Sequence, residues 1–220
     1  MTGIVDYNAG NLKSVERALT YLDFPYIISK KPSDLENCDR LIFPGVGEAR
    51  YAMDELEKSG FASFLKDYTE SGKLLLGICL GSQIIFDYSE EGDTKCLGLI
   101  PGSIRHFNSL LPENTTKDEN GFKLKIPHMG WNSINYTETY CPLFEGIKEN
   151  TDFYFVHSYV IQPENKAVVT CYADYGIKVP AGIKSGNIYA FQFHPEKSAA
   201  AGLRILKNFL NVDEKGDSTK

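Results

Sequence analysis

The sequence predicts a single α/β domain of three layers, a doubly wound and mostly parallel sheet between helices. Three observations carry this expectation. In the first half, short apolar runs alternate with stretches whose apolar residues recur at helical spacing. The run over residues 73–79, KLLLGIC, is apolar without alternation, as in a strand buried on both faces. A chain of 220 residues suits one domain of this class.

The elements follow in order. Residues 3–7, GIVDY, form a first strand that ends in turn residues, and Leu12, Val15, Leu19 and Leu22 mark the helix after it. The second strand is YIIS at 26–29. The third is RLIFPG at 40–45, stopped by Pro-Gly. Helices are expected over 49–58 and 61–70, a fourth strand over 73–79, and a further helical segment, SQIIFDY, over 82–88. The second half is richer in strands, expected at 102–107, 125–134, 152–161, 167–173, 181–185 and 187–194, before a closing helix over 199–210. The polar stretch 112–120 reads as a mobile loop. The domain is expected to span 1–212, with the charged tail 213–220, which has no apolar anchor, frayed.

Composition excludes several classes. A formal net charge of -6 without a Lys/Arg cluster argues against nucleic-acid binding. No apolar run is long enough to span a bilayer, and the N-terminus has no basic and apolar leader. The five cysteines, Cys38, Cys79, Cys96, Cys141 and Cys171, include no CxxC pair and read as a reduced, cytoplasmic set.

The sharpest local signal is Gly77-Ile78-Cys79-Leu80-Gly81, a nucleophile flanked by glycines two residues to either side, after an apolar strand and before a helical segment. Such a turn strains the nucleophile's backbone, and a helix start behind it favours a thiolate. A cysteine nucleophile needs a base and an orienting carboxylate. His194 ends an apolar strand, Glu196 follows two residues later, and Pro195 between them holds His194 extended. Acyl chemistry also needs an oxyanion hole. Leu80 N–H is one expected donor, and the segment Pro44-Gly45-Val46-Gly47 is placed to give a second from Val46 or Gly47. Of the other histidines, His157 reads as packing at a strand end, His128 as lying at an interface or site edge, and His106 as a surface residue. No set has metal-ligand spacing, so neither metal nor cofactor is expected.

Three motifs in order, LIFPGVG (41–47), LLLGICLGSQ (74–83) and YAFQFHPEKS (189–198), resemble those of class I glutamine amidotransferases over nearly the whole chain. DYNAGNLKSV, IPHMGWN and FYFVHSY narrow the resemblance to the branch that serves histidine biosynthesis. The resemblance implies a flavodoxin-like fold and a Cys79–His194–Glu196 triad that hydrolyses the glutamine side-chain amide through a thioester. It implies that Gln83, Ser158, Tyr159 and the backbone near Gly47 hold the substrate. It also implies a heterodimer with a (β/α)8-barrel synthase subunit that receives the ammonia, with Asn11, Met129, Trp131 and Lys197 at the interface. The chain departs from the family pattern at Asn8, Glu48-Ala49 and Ser82, none of them in the triad. Two other functions stay open on the sequence: a paralogue feeding a different synthase, such as one amidating a bacterial surface sugar, and a non-catalytic redox or chaperone module.

Overall fold

The computed structural model describes residues 1–112 and 124–213. The loop expected over 112–120 and the frayed tail expected from 213 lie outside the described residues, apart from Pro112 and Asp213. The parallel framework is assembled from β1 (Thr2–Val5), β2 (Tyr26–Ser29), β3 (Arg40–Gly45) and β4 (Leu74–Cys79). Between them run α1 (Leu12–Tyr21), α2 (Pro32–Leu35), α3 (Ala49–Ser59) and α4 (Phe61–Glu70). After β4 come α5 (Leu80–Gln83), β5 (Tyr88–Ser89), β6 (Thr94–Lys95), β7 (Gly102–His106) and α6 (Phe107–Leu110). The second half supplies β8 (His128–Tyr136), β9 (Asp152–His157), β10 (Tyr159–Pro163), β11 (Val169–Asp174), β12 (Lys178–Ser185), β13 (Ile188–Phe191) and α7 (Ala199–Asn211).

Nine strands form the central sheet in the order β2-β1-β3-β4-β13-β12-β11-β8-β9. The five from β2 to β13 run parallel, and the remaining four add on antiparallel. All six residues of β4 are buried, as its unbroken apolar run requires. Alternate residues of the parallel strands face opposite cores. Leu41, Phe43 and Leu75 pack with α3 and α4, while Ile42, Leu74 and Leu76 pack with Val15 and Leu19 of α1 and Leu206 and Phe209 of α7. These are the three expected layers. Arg40 ties the far end of α7 to β3, its Nη1 donating to the carbonyls of Phe209 and Val212 at 2.6 and 3.0 Å.

Two expectations about elements fail. The single strand expected over 152–161 is two strands, β9 in the large sheet and β10 in a second sheet of order β10-β7-β5-β6. Phe153, Phe155 and His157 alternate inward, then the phase slips at Ser158 and Tyr159, and Val160 and Ile161 are both buried. Because FYFVHSYVI is apolar on nearly every residue, the slip leaves no trace in the hydrophobic pattern. The helix expected over 82–88 is one turn, α5, ending at Gln83. Ile84, Ile85 and Phe86 are all fully buried, which a helix with one inward face cannot provide for three consecutive residues.

Candidate active site

Cys79 ends β4 with φ 54° and ψ -111°, a strained conformation for a residue with a side chain. The flanking glycines let the turn close. A Cβ at Gly77 would stand 2.9 Å from the Gly81 carbonyl oxygen, and one at Gly81 would fall on the Phe43 carbonyl. The buried Ser82 hydroxyl donates to the Cys79 carbonyl at 2.6 Å and so holds the turn from inside. With α5 only one turn long, a helix dipole contributes less than the sequence suggests. Gly81→Ala should therefore destabilise the fold by roughly 1–3 kcal/mol through overpacking. Urea denaturation should show a lower midpoint, and an unchanged midpoint would mean the turn is less tight than described.

The candidate base, His194, lines the same cavity as Cys79. His194 is extended (φ -99°, ψ 94°), and the single 3-10 turn Pro195–Lys197 brings the Glu196 carboxylate back onto the ring. His194 Nδ1–H donates to Glu196 Oε1 at 2.8 Å, with both side chains 2% exposed. His194 Nε2 is buried and has no hydrogen-bond partner among the described residues. Burial works against the imidazolium. The charge of the facing Cys79 sulfur, with the hydrogen bond and charge of Glu196, outweighs it and holds the His194 pKa up at about 9. The backbone is clamped too. His194 N–H donates to the Tyr154 carbonyl at 2.9 Å, and Ser198 Oγ donates to the His194 carbonyl at 2.6 Å while accepting Tyr154 N–H at 2.9 Å.

Of the expected oxyanion donors, Leu80 N–H begins α5 and has no acceptor within the helix. Gly45 lies opposite Cys79 in the β3–β4 register, which brings the next peptides to the nucleophile. Val46 N–H, however, donates to the Ala9 carbonyl at 3.0 Å and is engaged away from the hole. Gly47, at φ 97°, adopts a backbone open to glycine. The Tyr7 hydroxyl behind this segment is buried without a hydrogen-bond partner among the described residues. Burial, reinforced by the charge of Cys79, pushes its ionisation far up.

Cys79 and His194 open into one cavity of about 330 Å³. Val46, Gly47, Leu80, Gln83, Ser158, Tyr159 and Lys197 also line it, so the structure gathers most of the residues expected at the site. Gln83 is not a solvated helix residue. It is 5% exposed, and its Nε2 donates to Gln192 Oε1 at 2.8 Å and to the Tyr159 carbonyl at 3.2 Å. Sequence reasoning missed Glu91, Pro127 and Val156 in the lining, and Gln192 as the acceptor that holds Gln83. Glu91 lies in the polar turn EEGD, where no apolar frame marks it. Its Oε2 accepts Ala49 N–H at 2.9 Å, and burial raises its pKa despite that bond. His157, expected to pack at a strand end, also lines the cavity. Its pKa is pushed down to about 4 by burial, against the pull of the Tyr159 carbonyl and with help from His194. That ring is kept neutral with both nitrogens engaged, whereas His194 Nε2 is engaged by none of the described residues.

The expected interface residues fall around the same end of the sheet. Met129 and Trp131, 61% and 55% exposed, point outward from β8, so Trp131 is not core. Met129 pairs with Val156, which lines the cavity. Lys197 is exposed at the cavity rim. Asn11 precedes α1, with its Nδ2 donating to Ser14 Oγ at 3.0 Å. His106 is half-buried and accepts Asn108 N–H at the start of α6, which makes it a cap rather than a plain surface residue. Among the described residues, no three His, Cys, Asp or Glu side chains converge as metal ligands would. No described helix is long and apolar enough to cross a membrane.

The family model for glutamine amidotransferase class-I matches residues 3–212. Two curated relatives carry the name imidazole glycerol phosphate synthase subunit HisH. The one from Nitratidesulfovibrio vulgaris (strain Miyazaki F) is 46% identical over 210 residues, covering 95% of each chain. The one from Halalkalibacterium halodurans is 43% identical over 217 residues, covering 98% of each. A solved structure described as a glutamine amidotransferase superposes with a TM-score of 0.70 over 95% of this chain and 96% of that one; at 18% identity this likeness concerns the fold alone.

Proposed function

The chain belongs to the class-I glutamine amidotransferases, and from that membership and the geometry of its site we propose that it hydrolyses glutamine at Cys79 as the glutaminase subunit of imidazole glycerol phosphate synthase, in histidine biosynthesis. The observation that carries the chemistry is the strained Cys79 sharing a cavity with a buried His194–Glu196 pair. Cys79 sulfur attacks the side-chain carbonyl carbon of glutamine. The tetrahedral oxyanion collapses as His194 gives its proton to the departing nitrogen, which leaves as ammonia. A thioester remains on Cys79. His194, now neutral, takes a proton from water, the hydroxide attacks the thioester, and glutamate leaves as the sulfur is released. Glu196 keeps the imidazole oriented throughout and never needs to take the proton.

Gln83, Ser158 and Tyr159 border the cavity where the amino-acid end of the substrate would lie, and the Glu91 carboxylate there suits its ammonium group. The ammonia passes to a (β/α)8-barrel synthase subunit, which uses it to convert PRFAR to imidazole glycerol phosphate and AICAR. We place this heterodimer in the cytoplasm, with residues 1–212 as the catalytic domain. Met129, Trp131, Lys197 and Asn11 are the proposed contacts, and the exposed Trp131 and Met129 beside the cavity support that face. The triad argues against a redox or chaperone module, because a thiol sensor has no use for a positioned general base.

The proposed scheme includes a gate. With Val46 N–H bonded to Ala9, the oxyanion hole has Leu80 as its donor, and the partner would act by favouring a rotated peptide that turns Val46 or Gly47 N–H to the cavity. One missing donor costs about 10²–10³ in rate. A few kcal/mol of differential binding is enough to move such an equilibrium. The test measures glutamate release by the isolated chain, by the complex with the synthase subunit, and by that complex with its own substrate bound. Turnover should rise by roughly that factor along the series. Equal turnover in all three would overturn the gate, and no glutamate in any would overturn the function.

A further inference from the structure

Two buried histidines take no part in this scheme, yet they are wired to its cavity. His128 and His157 face each other across β8 and β9 and are 2% and 6% exposed. His128 is held between the rings of Phe155 and Tyr175, stacked at 4.7 and 4.0 Å. A hydrogen-bond chain links Asn132 Nδ2 to His128 Nε2 (3.2 Å), His128 Nδ1 to His157 Nε2 (2.9 Å) and His157 Nδ1 to the Tyr159 carbonyl (2.7 Å). Asn132 Nδ2 also donates to the Asp174 carbonyl at 3.0 Å, which fixes the orientation of its amide.

Every direction in this chain is forced. A carbonyl only accepts, so His157 Nδ1 carries a proton; an amide nitrogen only donates, so His128 Nε2 carries none. With one proton per ring, both on Nδ1, each contact has one donor and one acceptor. A second proton on either ring would set two N–H groups against each other. The chain ends on the oxygen that also receives Gln83 Nε2, at the turn where β9 passes into β10.

We propose that His128 and His157 are positioning residues, a neutral two-imidazole chain that fixes the Ser158–Tyr159 turn and with it the glutamine-binding wall of the cavity. This rests on the proposal that the cavity binds glutamine. Without the imidazole donor, the Tyr159 carbonyl keeps only Gln83 and the turn loosens. The substrate must then order the turn as it binds, while the triad stays intact. The loss belongs in KM, with kcat little changed.

The experiment uses the full chain in complex with its synthase subunit. His157→Phe keeps a ring and removes the donor; His157→Asn restores a donor near the Nδ1 position. His157→Phe should raise KM for glutamine about 10-fold with kcat within about 3-fold, as expected for the loss of one of the two hydrogen bonds to that carbonyl. His157→Asn should recover most of that loss. Unchanged KM in His157→Phe, or equal defects in the two variants, would overturn the proposal. A second measurement, 15N NMR of histidine-labelled wild-type chain at pH 6, needs no variant to fold. It should show both rings neutral, with Nδ1 protonated and Nε2 bare, and a proton on Nε2 of either ring would overturn the chain. Absence of glutamine hydrolysis in the wild-type complex would instead overturn the functional proposal, and the NMR signature would be decided independently.

Discussion

Cys79→Ala is expected to abolish glutamine hydrolysis while leaving the synthase partner able to use added ammonia. Removing the nucleophile of a hydrolase triad costs roughly 10⁶ in turnover, about as much as removing the whole triad. The cavity keeps its shape, because alanine is smaller than cysteine and the strained turn is held by Ser82 and by the close glycines rather than by the sulfur. The companion result is selectivity. All five cysteines are free and buried. Burial raises the thiol pKa of Cys38 and Cys171, and takes Cys96 and Cys141 up to about 12. Those four are poor nucleophiles, and Cys79 is the thiol that lines the cavity. A glutamine-like chloroketone should therefore modify Cys79 alone, as read by peptide mass spectrometry. Residual glutaminase activity in the alanine variant, or labelling spread over several cysteines, would remove Cys79 from the centre of the scheme.

His194→Ala should lower turnover by roughly 10²–10⁴ from the loss of acid–base transfer alone. Glu196→Gln should cost less, because an amide can still hydrogen-bond the ring while losing the charge that favours the imidazolium. A greater loss for Glu196→Gln than for His194→Ala would reverse the assigned roles. Cys79 and Glu196 around His194 set a pH signature. The His194 pKa is raised from 6.5 to about 9 in the folded chain. The proton is thus held more tightly folded than unfolded, and its stabilisation is complete below pH 6.5 and is lost as pH rises through about 9. Denaturation midpoints across that window should fall for the wild type more steeply than for His194→Ala. Parallel curves would mean that His194 is not held as an imidazolium.

Much of this is legible in the sequence, for a physical reason. The parallel strands are continuous apolar runs, and β2 and β3 fall on the residues the pattern gives. The site was legible wherever chemistry needs a residue type at a fixed short spacing, as with Gly77-Ile78-Cys79-Leu80-Gly81 and His194-Pro195-Glu196. What escaped was everything decided by contacts between distant segments. Glu91 reaches the cavity only because the chain folds back on itself, and Gln192 holds Gln83 across 109 residues of sequence; nothing local announces either. The engagement of Val46 N–H with Ala9 depends on two loops meeting. The break at Ser158 and the early end of α5 were set by which core takes each apolar residue, which composition alone does not say.

The position of β9 has one more consequence. It is the last strand of the nine-stranded sheet, and such a strand offers unpaired backbone groups to any passing chain. Here the outward N–H and carbonyl of Tyr154 are taken by Ser198 and by the backbone of His194, and the Cys79 thiol approaches the Val156 carbonyl at 3.9 Å. The segment that carries His194 thus covers part of this edge. A foreign strand that added itself to β9 would have to peel His194 away first. Strand addition at this edge and the proposed catalysis would therefore exclude each other.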